Sequence, residues 1–341
     1  VPVSHHLEEL GAEFLAVSNL EEAVQLRRAE VRRPILILGY TPAQYARELA
    51  EMDLRQEVHS LAYARELETR LLGARSRLRV HLKLDTGMAR LGFFCQEGEQ
   101  VLEELLAVTR MPHLQVEGMF THFADADSSE EYTMGQFTRF LDARQALEAL
   151  GVRFKICHCA ASAAVLNYPC THMDMVRPGI ATYGVLPSED LRGMIDLRPV
   201  MSLRSTIFQI RDFEPNITIS YGRTYTTEDP ARIAVVGIGY ADGFPRSLSS
   251  NVSFLLHGRR VPQVGRICMD MCMVDITRVP EAKVGDVVTV FGEDGGDSIE
   301  LTSLANRLGT IPYELMCGIN KRIPRIYLNG EDETEVLQYI V

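Results

Sequence analysis

Several features that mark other classes of protein are missing from this chain. No stretch approaches the roughly 20 consecutive apolar residues that span a bilayer, and the N-terminal VPVSHHLEELGAEF has neither the basic region nor the apolar core of a signal peptide. The basic residues are scattered along a chain with a formal net charge of -11, so it has no electrostatic footprint for nucleic acid or anionic lipid. We therefore expect a cytoplasmic protein that acts on a small molecule, without nucleic-acid or membrane partners.

The cysteines indicate neither a disulfide framework nor a metal site. They are odd in number and most lie inside apolar patterns, which favours reduced thiols. The CHC run at 157–159 and the CMDMC run at 268–272 each lack the second pair of ligands that a structural zinc ion needs. Internal repeats and low-complexity linkers are also absent, so we expect domains that pack together and no bound metal.

The 341 residues, 46% of them hydrophobic, are enough for two domains. Up to about residue 190, short apolar runs alternate with helical patterns, which is typical of β/α units around a parallel sheet. We count seven strands: FLAVS (14–18), ILILG (35–39), EVHSL (57–61), RVHLKLD (79–85), VEGMFTHF (116–123), KICHCA (155–160) and DMVRPG (174–179).

The texture changes in the last part of the chain, where the long crossover helices stop. Short strand-like runs follow, separated by glycine-rich turns: MSLRSTIFQIRD, ARIAVVGIG, SFLLHG, RVPQVG, ICMDMCMVDI and DVVTVFG. A helical pair, TSLANRLG and IPYELMCGI, comes after them. We predict an α/β domain over 1–195, with a parallel sheet that forms a barrel or is doubly wound, and a mainly antiparallel β-domain over 196–341.

The carboxyl ends of the predicted strands are the first place to look for a site, because loops converge there in barrels and doubly wound sheets. The candidates at those ends are Lys83, Asp85, Arg90, His122, His158, Ser162, Arg177 and Gly179. The stretches around Ser162 (CHCAASAA) and Gly179 (VRPGI) bring small residues and backbone N–H groups together in a way that suits a phosphate. A plain helix start explains the first stretch equally well.

Eight ordered motifs carry a resemblance to a known family. They are HLKLDTGMARLG (81–92), THFADAD (121–127), HCAASAA (158–164), MVRPGIATYG (175–184), SYGRTYT (220–226), GIGYADGFPR (237–246), VGRICMDMCMVD (264–275) and IPYELMCGINKRIPR (311–325). Together they resemble alanine racemases, pyridoxal-phosphate enzymes built from a barrel and a β-domain. The resemblance implies that 1–195 forms a cofactor-binding α/β barrel of the TIM (β/α)8 type, with seven units visible and the first missing. The resemblance implies pyridoxal 5'-phosphate as cofactor, interconversion of L- and D-alanine for peptidoglycan, and a homodimer whose active sites are shared between chains.

The resemblance also implies roles for individual side chains. Arg177 would face the pyridine nitrogen and keep it unprotonated, because a guanidinium is effectively never neutral, and His122 would hydrogen-bond Arg177. Arg90 would contact the phenolic oxygen and the substrate, supported by Lys83, which is often carbamylated in the family. Further cofactor contacts are implied for Ser162, Gly179, Ile180 and Tyr313 at the phosphate, and for Leu38.

On the substrate side, Tyr221 matches the tyrosine that acts as one of two acid–base groups from the partner chain. A phenol has an ordinary pKa near ~10, so it needs cationic neighbours to act as a base at neutral pH. Tyr240, Met269 and Asp270 match residues that line the substrate entrance and the carboxylate pocket, again from the partner.

One motif of the family is missing. Racemisation with pyridoxal phosphate requires a lysine that holds the cofactor and moves a proton on the face opposite the tyrosine. In the family it lies on the first barrel strand, in a motif resembling V-V-K-A-x-A-Y-G-H-G, which these residues do not contain, and Lys83 resembles the supporting lysine instead. Because a closed barrel needs its eighth strand, we expect a further N-terminal segment that carries this lysine.

Three other interpretations stay open at this point. A serine racemase of the same family is one, although Tyr313 favours alanine because serine-preferring relatives tend to carry a smaller polar residue there. A silent scaffold without the lysine is another, against which the retained Tyr221 and Arg177 argue. A metal-dependent hydrolase using His122, His158 and Asp125 lacks a coherent ligand set.

Overall fold

The computed structural model describes residues 1–95, 100–329 and 332–338. By the density of its internal contacts the chain forms two compact units, Val1–Gly179 and Ile180–Val341, which we describe separately. Within the described residues, no helix is both long and apolar enough to cross a membrane. The domain boundary predicted at residue 195 stays a prediction.

The first unit is built on a parallel sheet, as predicted. Its strands are β1 (Leu15–Val17), β2 (Ile35–Ile37), β3 (Leu54–Val58), β4 (Leu78–Asp85), β5 (Phe93–Phe94), β6 (Leu114–Phe120) and β7 (Ile156–His158). They lie in the order β1-β2-β3-β4-β6-β7, with the two-residue β5 paired to β4. Neighbours in the sheet are therefore successive in the chain, as in a barrel, whereas a doubly wound sheet reverses direction part-way.

Helices connect these strands. They are α1 (Pro2–Glu9), α2 (Leu20–Arg28), α3 (Ala46–Glu51), α4 (Leu61–Arg70), α5 (Gln100–Thr109), α6 (Glu130–Ala149) and α7 (Ser162–Asn167), with 3-10 turns at Ala43–Tyr45 and Pro169–Thr171. Side chains cap the starts of α2, α4 and α6: Asn19 Oδ1 accepts from the N–H of Glu22 at 2.9 Å, and Ser60 and Ser129 cap in the same way. Capping satisfies N–H groups that have no partner within the helix.

Two predicted strands differ from the structure. The strand predicted at 174–179 does not form, and only an isolated bridge between Ala161 and Arg177 is present there. Pro178 explains this, because it has no N–H to donate to a ladder. The strand predicted at 57–61 is Leu54–Val58, because Ser60 accepts a hydrogen bond from the N–H of Tyr63 at 3.2 Å and the chain turns helical at Leu61.

The second unit is an antiparallel structure, as predicted. Its strands are β8 (Leu203–Phe213), β9 (Thr218–Ile219), β10 (Tyr225–Thr226), β11 (Ala231–Val236), β12 (Ser253–Leu256), β13 (Arg259–Val264), β14 (Cys272–Asp275), β15 (Val287–Asp294), β16 (Asp297–Ile299), β17 (Arg325–Asn329) and β18 (Asp332–Leu337), and its helices are α8 (Leu301–Leu308) and α9 (Pro312–Gly318). The main sheet has the order β12-β13-β14-β11-β8-β15-β16. Because β12 also pairs with β15, the sheet closes on itself.

An apolar core fills the second unit. Phe254, Leu255, Val274 and Val288 are all buried and belong to one cluster. They come from β12, β14 and β15, and in β12 and β15 consecutive residues are buried. Short 3-10 turns at Ile180–Tyr183, Glu189–Leu191, Tyr221–Arg223, Tyr240–Asp242 and Arg246–Leu248 lie outside the strands.

Candidate active site

The loop after β4 is organised by the carboxylate of Asp85. Its Oδ1 accepts hydrogen bonds from the N–H groups of Gly87 and Ala89, both at 3.0 Å, and its Oδ2 accepts one from the N–H of Arg90 at 2.9 Å. One side chain thus satisfies three backbone donors, which is how an Asx-type turn fixes a loop. The backbone of Arg90 is held while its side chain stays exposed.

Helix α6 holds the same loop from outside. The hydroxyl of Tyr132 donates to the carbonyl of Gly87 at 2.6 Å, and Arg139 Nε donates to the carbonyl of Thr86 at 2.7 Å. Gly87 has φ +148°, and a Cβ there would lie 3.0 Å from the Tyr132 hydroxyl. Only glycine suits this position, so the strand-end loop is fixed in one conformation.

Lys83 is the single lysine of β4 and is almost completely buried, at 6% exposure. Its Nζ lies 5.6 Å from the centre of the Phe120 ring, and within 1–95, 100–329 and 332–338 no hydrogen-bond acceptor contacts it. Burial lowers the pKa of Lys83, Arg90 and Arg177 lower it further, and Glu57 opposes them. A larger fraction of this amine is therefore neutral than in water.

Arg177 is bound on several sides by acceptors. Its Nη1 lies 2.6 Å from Nδ1 of His158, and its Nη2 donates to the carbonyls of Thr121 at 2.8 Å and Cys159 at 2.9 Å. Nη2 also lies 3.4 Å from Nδ1 of His122. Burial lowers the pKa of Arg177 to about 10, so the guanidinium stays charged at neutral pH.

His122 was expected to hydrogen-bond Arg177, and its Nδ1 is the most distant of the four acceptors around that guanidinium, at 3.4 Å. Burial, together with the positive charges of Arg177, Arg90 and Lys83, lowers its pKa to about 3. The imidazole is therefore neutral, and one of its nitrogens can accept a hydrogen bond from a cation. The structure thus brings Lys83, His122 and Arg177 into one electrostatic cluster, with Arg90 near enough to act on the same groups.

The close partner of Arg177 is His158, to which the sequence assigned no role beyond its position at a strand end. His158 ends β7, opposite Phe120 in the sheet register, and its ring stacks on that phenyl at 4.7 Å. The centre of the Phe120 ring also lies 5.4 Å from Cζ of Arg177, so one aromatic ring is near the cations of both Lys83 and Arg177. Strand register is the signal that would have selected His158.

The two residues expected at a phosphate in this unit lie next to each other. Ser162 is buried and begins α7. A Cβ built on Gly179 would lie 3.8 Å from Ser162 Oγ, so the backbone of the glycine approaches this hydroxyl closely. Leu38 follows β2, where its N–H donates to the carbonyl of Val17.

The second unit presents Tyr221 on a strained turn. Ser220 before it has φ 67° and ψ -176°, a region that is nearly restricted to glycine, and Gly222 after it has φ 69°. Ser220 Oγ donates to the carbonyl of Arg266 at 2.6 Å, which holds the turn. Tyr221 is 67% exposed. Backbone strain of this kind indicates a side chain whose direction is fixed.

Tyr240, Met269 and Asp270 also lie on exposed loops of this unit. The N–H of Ala241 donates to the carbonyl of Met269 at 2.9 Å, and a Cβ on Gly239 would lie only 2.3 Å from that oxygen, so glycine is required. Asp270 Oδ1 accepts from Nη2 of Arg322 at 2.6 Å, and the same arginine binds Asp242.

The remaining expected residues of this unit are placed apart from those loops. Ile180 is buried at the start of a 3-10 turn, and Tyr313 is 38% exposed on α9. For the hydrolase alternative, within the described ranges no three His, Cys, Asp or Glu side chains lie together as a metal site.

Comparisons with known proteins extend over both units. The family model "Alanine racemase, N-terminal domain" matches residues 1–187, and "Alanine racemase, C-terminal domain" matches residues 200–327. The alanine racemase of Methanococcus maripaludis is 44% identical over 333 residues, which cover 96% of this chain and 88% of the relative. Alanine racemase 2 of Caldanaerobacter subterraneus subsp. tengcongensis is 41% identical over 340 residues, covering 99% and 87%.

Solved structures give the same family. The alanine racemase of Clostridium difficile 630 superposes with a TM-score of 0.95 at 38% identity, covering 100% of this chain and 88% of that one. The alanine racemase of Bacillus anthracis with bound L-Ala-P superposes with a TM-score of 0.93 at 37% identity, covering 100% and 87%.

Proposed function

We propose, because this chain belongs to the alanine racemase family, that it is an amino-acid racemase which interconverts L-alanine and D-alanine. The observation that carries the proposal is the guanidinium of Arg177, fixed at 2.6 Å from the neutral imidazole of His158 at the carboxyl end of the parallel sheet. This is the position where α/β folds bind their ligands. We further propose pyridoxal 5'-phosphate as the cofactor.

The residues present suit this cofactor chemically. Its pyridine nitrogen, when unprotonated, is an acceptor, and Arg177 carries only donors. Its phosphate is an anion, and Ser162 Oγ and the backbone of Gly179 lie close enough together for one phosphate group to reach both. Ile180, Tyr313 and Leu38 are proposed to make further contacts with the cofactor. When bound, pyridoxal phosphate supplies an electron sink that makes the α-proton of an amino acid removable.

Arg177 holds its charge in this proposal and does not transfer a proton. Its pKa of about 10 leaves it protonated at neutral pH, and a donor that keeps its proton leaves the ring nitrogen it faces unprotonated. His122, neutral and 3.4 Å from Nη2, contributes an acceptor that orients the guanidinium. The residues around Arg177 thus act by orientation and charge.

Lys83 and Arg90 act as a supporting pair. Arg90 is proposed to donate to the phenolic oxygen of the cofactor and to help bind the substrate. Lys83 has a lowered pKa and a buried amine, so its neutral form can add carbon dioxide, forming an N–C bond and releasing one proton. The resulting carbamate would be an anion that binds Arg90.

Tyr221 is the proposed acid–base group, contributed by the second unit of a partner chain in a homodimer. Its exposure on a strained turn supports this role, because a tyrosine that acts in another chain's site cannot be buried in its own. Tyr240, Met269 and Asp270 are proposed to line the substrate entrance and the carboxylate pocket from the same partner.

The setting of the enzyme follows the same proposal. We infer a TIM-type barrel over 1–195, a β-domain over 196–341, a cytoplasmic location and supply of D-alanine to peptidoglycan. To test this function, the protein is expressed from its natural gene, loaded with pyridoxal phosphate and incubated with L-alanine in D2O. Chiral chromatography with mass detection should find D-alanine carrying one deuterium at Cα. L-alanine that stays unchanged and unlabelled would refute it.

A further inference from the structure

A line of polar groups runs from the half-buried Arg177 through the interior of the first unit, away from the site. Nη1 of Arg177 lies 2.6 Å from Nδ1 of His158, and Nε2 of His158 lies 2.9 Å from Nδ1 of His81. Nε2 of His81 is buried and makes no hydrogen bond to the described residues, but it lies 3.7 Å from Oε2 of Glu117, which accepts from Nε of Arg55 at 3.1 Å. Both histidines are 0% exposed. We refer to these five residues as the buried relay.

Sheet geometry explains how the buried relay fits. Four of its members come from β3, β4, β6 and β7, which are neighbours in the sheet, and Arg177 is joined to Ala161 by an isolated bridge. His81 pairs with Gly118 in the register of β4 and β6, and a Cβ on Gly118 would lie 2.6 Å from Nδ1 of His81. Glycine at 118 therefore makes the room that the His81 ring needs beside His158.

The two ends of the buried relay fix every proton in it. A guanidinium can only donate, so Nδ1 of His158 must accept and carries no hydrogen. The hydrogen of His158 is then on Nε2 and points to Nδ1 of His81, which must accept in turn. His81 therefore carries its hydrogen on Nε2, which faces the carboxylate of Glu117. From Arg177 to His81, each donor thus points towards Glu117, and Arg55 donates to the same carboxylate from the other side.

We propose that Glu117 and His81 are positioning residues for Arg177, because they hold His158 as a neutral imidazole with its Nδ1 lone pair on the guanidinium. This inference rests on the proposed function only for the role of Arg177. Without an acceptor at position 117, Arg177 alone opposes the reversed order, in which both rings carry their hydrogen on Nδ1. In that order Nδ1 of His158 is a donor, and Arg177 loses its closest acceptor.

The charges around the buried relay agree with this arrangement. Burial lowers the pKa of His81 and of His158, so both rings are neutral at neutral pH. The His81 imidazole and the Arg55 guanidinium lower the pKa of Glu117 to about 2, which keeps its carboxylate charged. Lys155 also faces Glu117, at 3.6 Å from Oε1. The cations at both ends oppose a third positive charge on either ring.

A role in stability alone makes a different prediction from a positioning role. Loss of a structural ion pair would lower the free energy of unfolding and leave the imidazole tautomers as they are. Loss of a positioning group would change the tautomer of His158 and the turnover of the folded enzyme. The test therefore measures the histidine nitrogens directly.

The first measurement is long-range 1H–15N NMR of the whole protein, labelled with 15N-histidine and free of substrate. His158 and His81 should both show the neutral Nε2–H pattern at every pH from about 6 to 8. An Nδ1–H tautomer on either ring, or protonation in this range, would overturn the proposal. This result does not depend on the protein being a racemase, so failure of the proposed function is separately visible.

The second measurement compares variants by NMR and by kinetics. Glu117→Leu removes the acceptor, so His158 should populate both neutral tautomers. We expect kcat to fall about tenfold or more, the size of effect seen when a group that orients a metal ligand is lost. The change in KM should be smaller. Glu117→Gln keeps an acceptor oxygen and should restore the Nε2–H tautomers. Glu68→Leu is the matched control, since Glu68 binds His113 at 2.6 Å outside the buried relay. A folded Glu117→Leu protein with the wild-type His158 spectrum and kcat would refute the role.

Discussion

The interiors of the two units are opposite in character. The first unit buries a large set of polar and charged side chains, among them Arg55, Glu57, His81, Lys83, Asp85, Glu117 and His158, whereas the buried polar residues among the described part of the second unit are Thr227, Asp242, Gln263 and Thr289. Burying charges costs desolvation free energy that hydrogen bonds and ion pairs must offset. The polar interior of the first unit fixes the protonation states of its buried groups, whereas the apolar interior of the second unit supports the loops on its surface.

The placement of the candidate residues follows the same division. Lys83 lies near the end of β4, His122 follows β6, and Arg177 is bridged to Ala161 after β7. Burial shifts the pKa of all three. Tyr221 and Met269 lie on exposed loops of a closed apolar sheet. Loops on a rigid scaffold are where surfaces for binding and catalysis commonly occur. The first unit thus shifts the pKa values of its candidate residues, and the second unit places its candidate side chains at the surface.

The largest expected effect is the loss of activity on substitution of Tyr221, which should leave the free energy of unfolding unchanged. Tyr221→Phe removes one hydroxyl from an exposed side chain, and loss of a general acid–base group typically costs roughly 10²–10⁴-fold in rate. Racemase kinetics should show this loss while thermal unfolding stays unchanged. Tyr45→Phe, at another partly exposed tyrosine, is the control. Full activity of Tyr221→Phe would remove this residue from the mechanism.

The next effect is on the stability of the polar interior. Arg55→Leu leaves the carboxylate of Glu117 without its arginine, and breaking a buried ion pair costs about 3–5 kcal/mol. Arg260→Leu in the second unit breaks the exposed pair with Asp297 and should leave the free energy of unfolding almost unchanged. Urea denaturation measures both. Equal effects of the two substitutions would remove the distinction between the interiors.

The dependence of stability on pH should separate the units further. His81, His122 and His158 have folded-state pKa values below the unfolded value of about 6.5. The unfolded chain therefore binds more protons below that pH, and each histidine lowers stability by up to about 1.4 kcal/mol per pH unit as the pH falls. Stability is complete above the unfolded pKa and declines below it.

This decline should be confined to the first unit. Hydrogen exchange followed by peptide mass spectrometry, corrected for intrinsic rates, should show protection of β4, β6 and β7 falling between pH 7 and pH 5, with β12 and β14 little changed. Leu255→Ala provides a reference, since deletion of a buried apolar side chain costs about 2–5 kcal/mol independently of pH. A parallel decline in both units would contradict the assignment.

The smallest effect concerns helix ends. Asn19→Ala removes the cap of α2 and should cost about 1 kcal/mol, whereas Glu300, at the start of α8 in the second unit, makes no side-chain cap bond. Chemical denaturation of both alanine variants tests this. A Glu300→Ala loss as large as that of Asn19→Ala would show that capping does not distinguish the units.

Much of the architecture was readable from hydrophobic pattern. Alternating apolar runs predicted the parallel strands and the antiparallel second unit, and they failed at 174–179, where Pro178 cannot join a ladder. The nearest partner of Arg177 was not readable, because it depends on the register that places His158 opposite Phe120. Contacts set by register between distant strands leave no local signal. The roles of Tyr221, Tyr240, Met269 and Asp270 stay predictions.

The central claim is that one active site joins the charged cluster of one chain to the exposed tyrosine of another. The most direct test of this claim mixes Tyr221→Phe protein with Arg177→Ala protein, each of which should be inactive alone. The mixture is unfolded and refolded together so that hybrid dimers form. A random mixture of dimers in which half are hybrids, each with one intact site, should regain about a quarter of the wild-type activity. Hybrid dimers that form, as shown by native mass spectrometry, but remain inactive would contradict a site shared between chains.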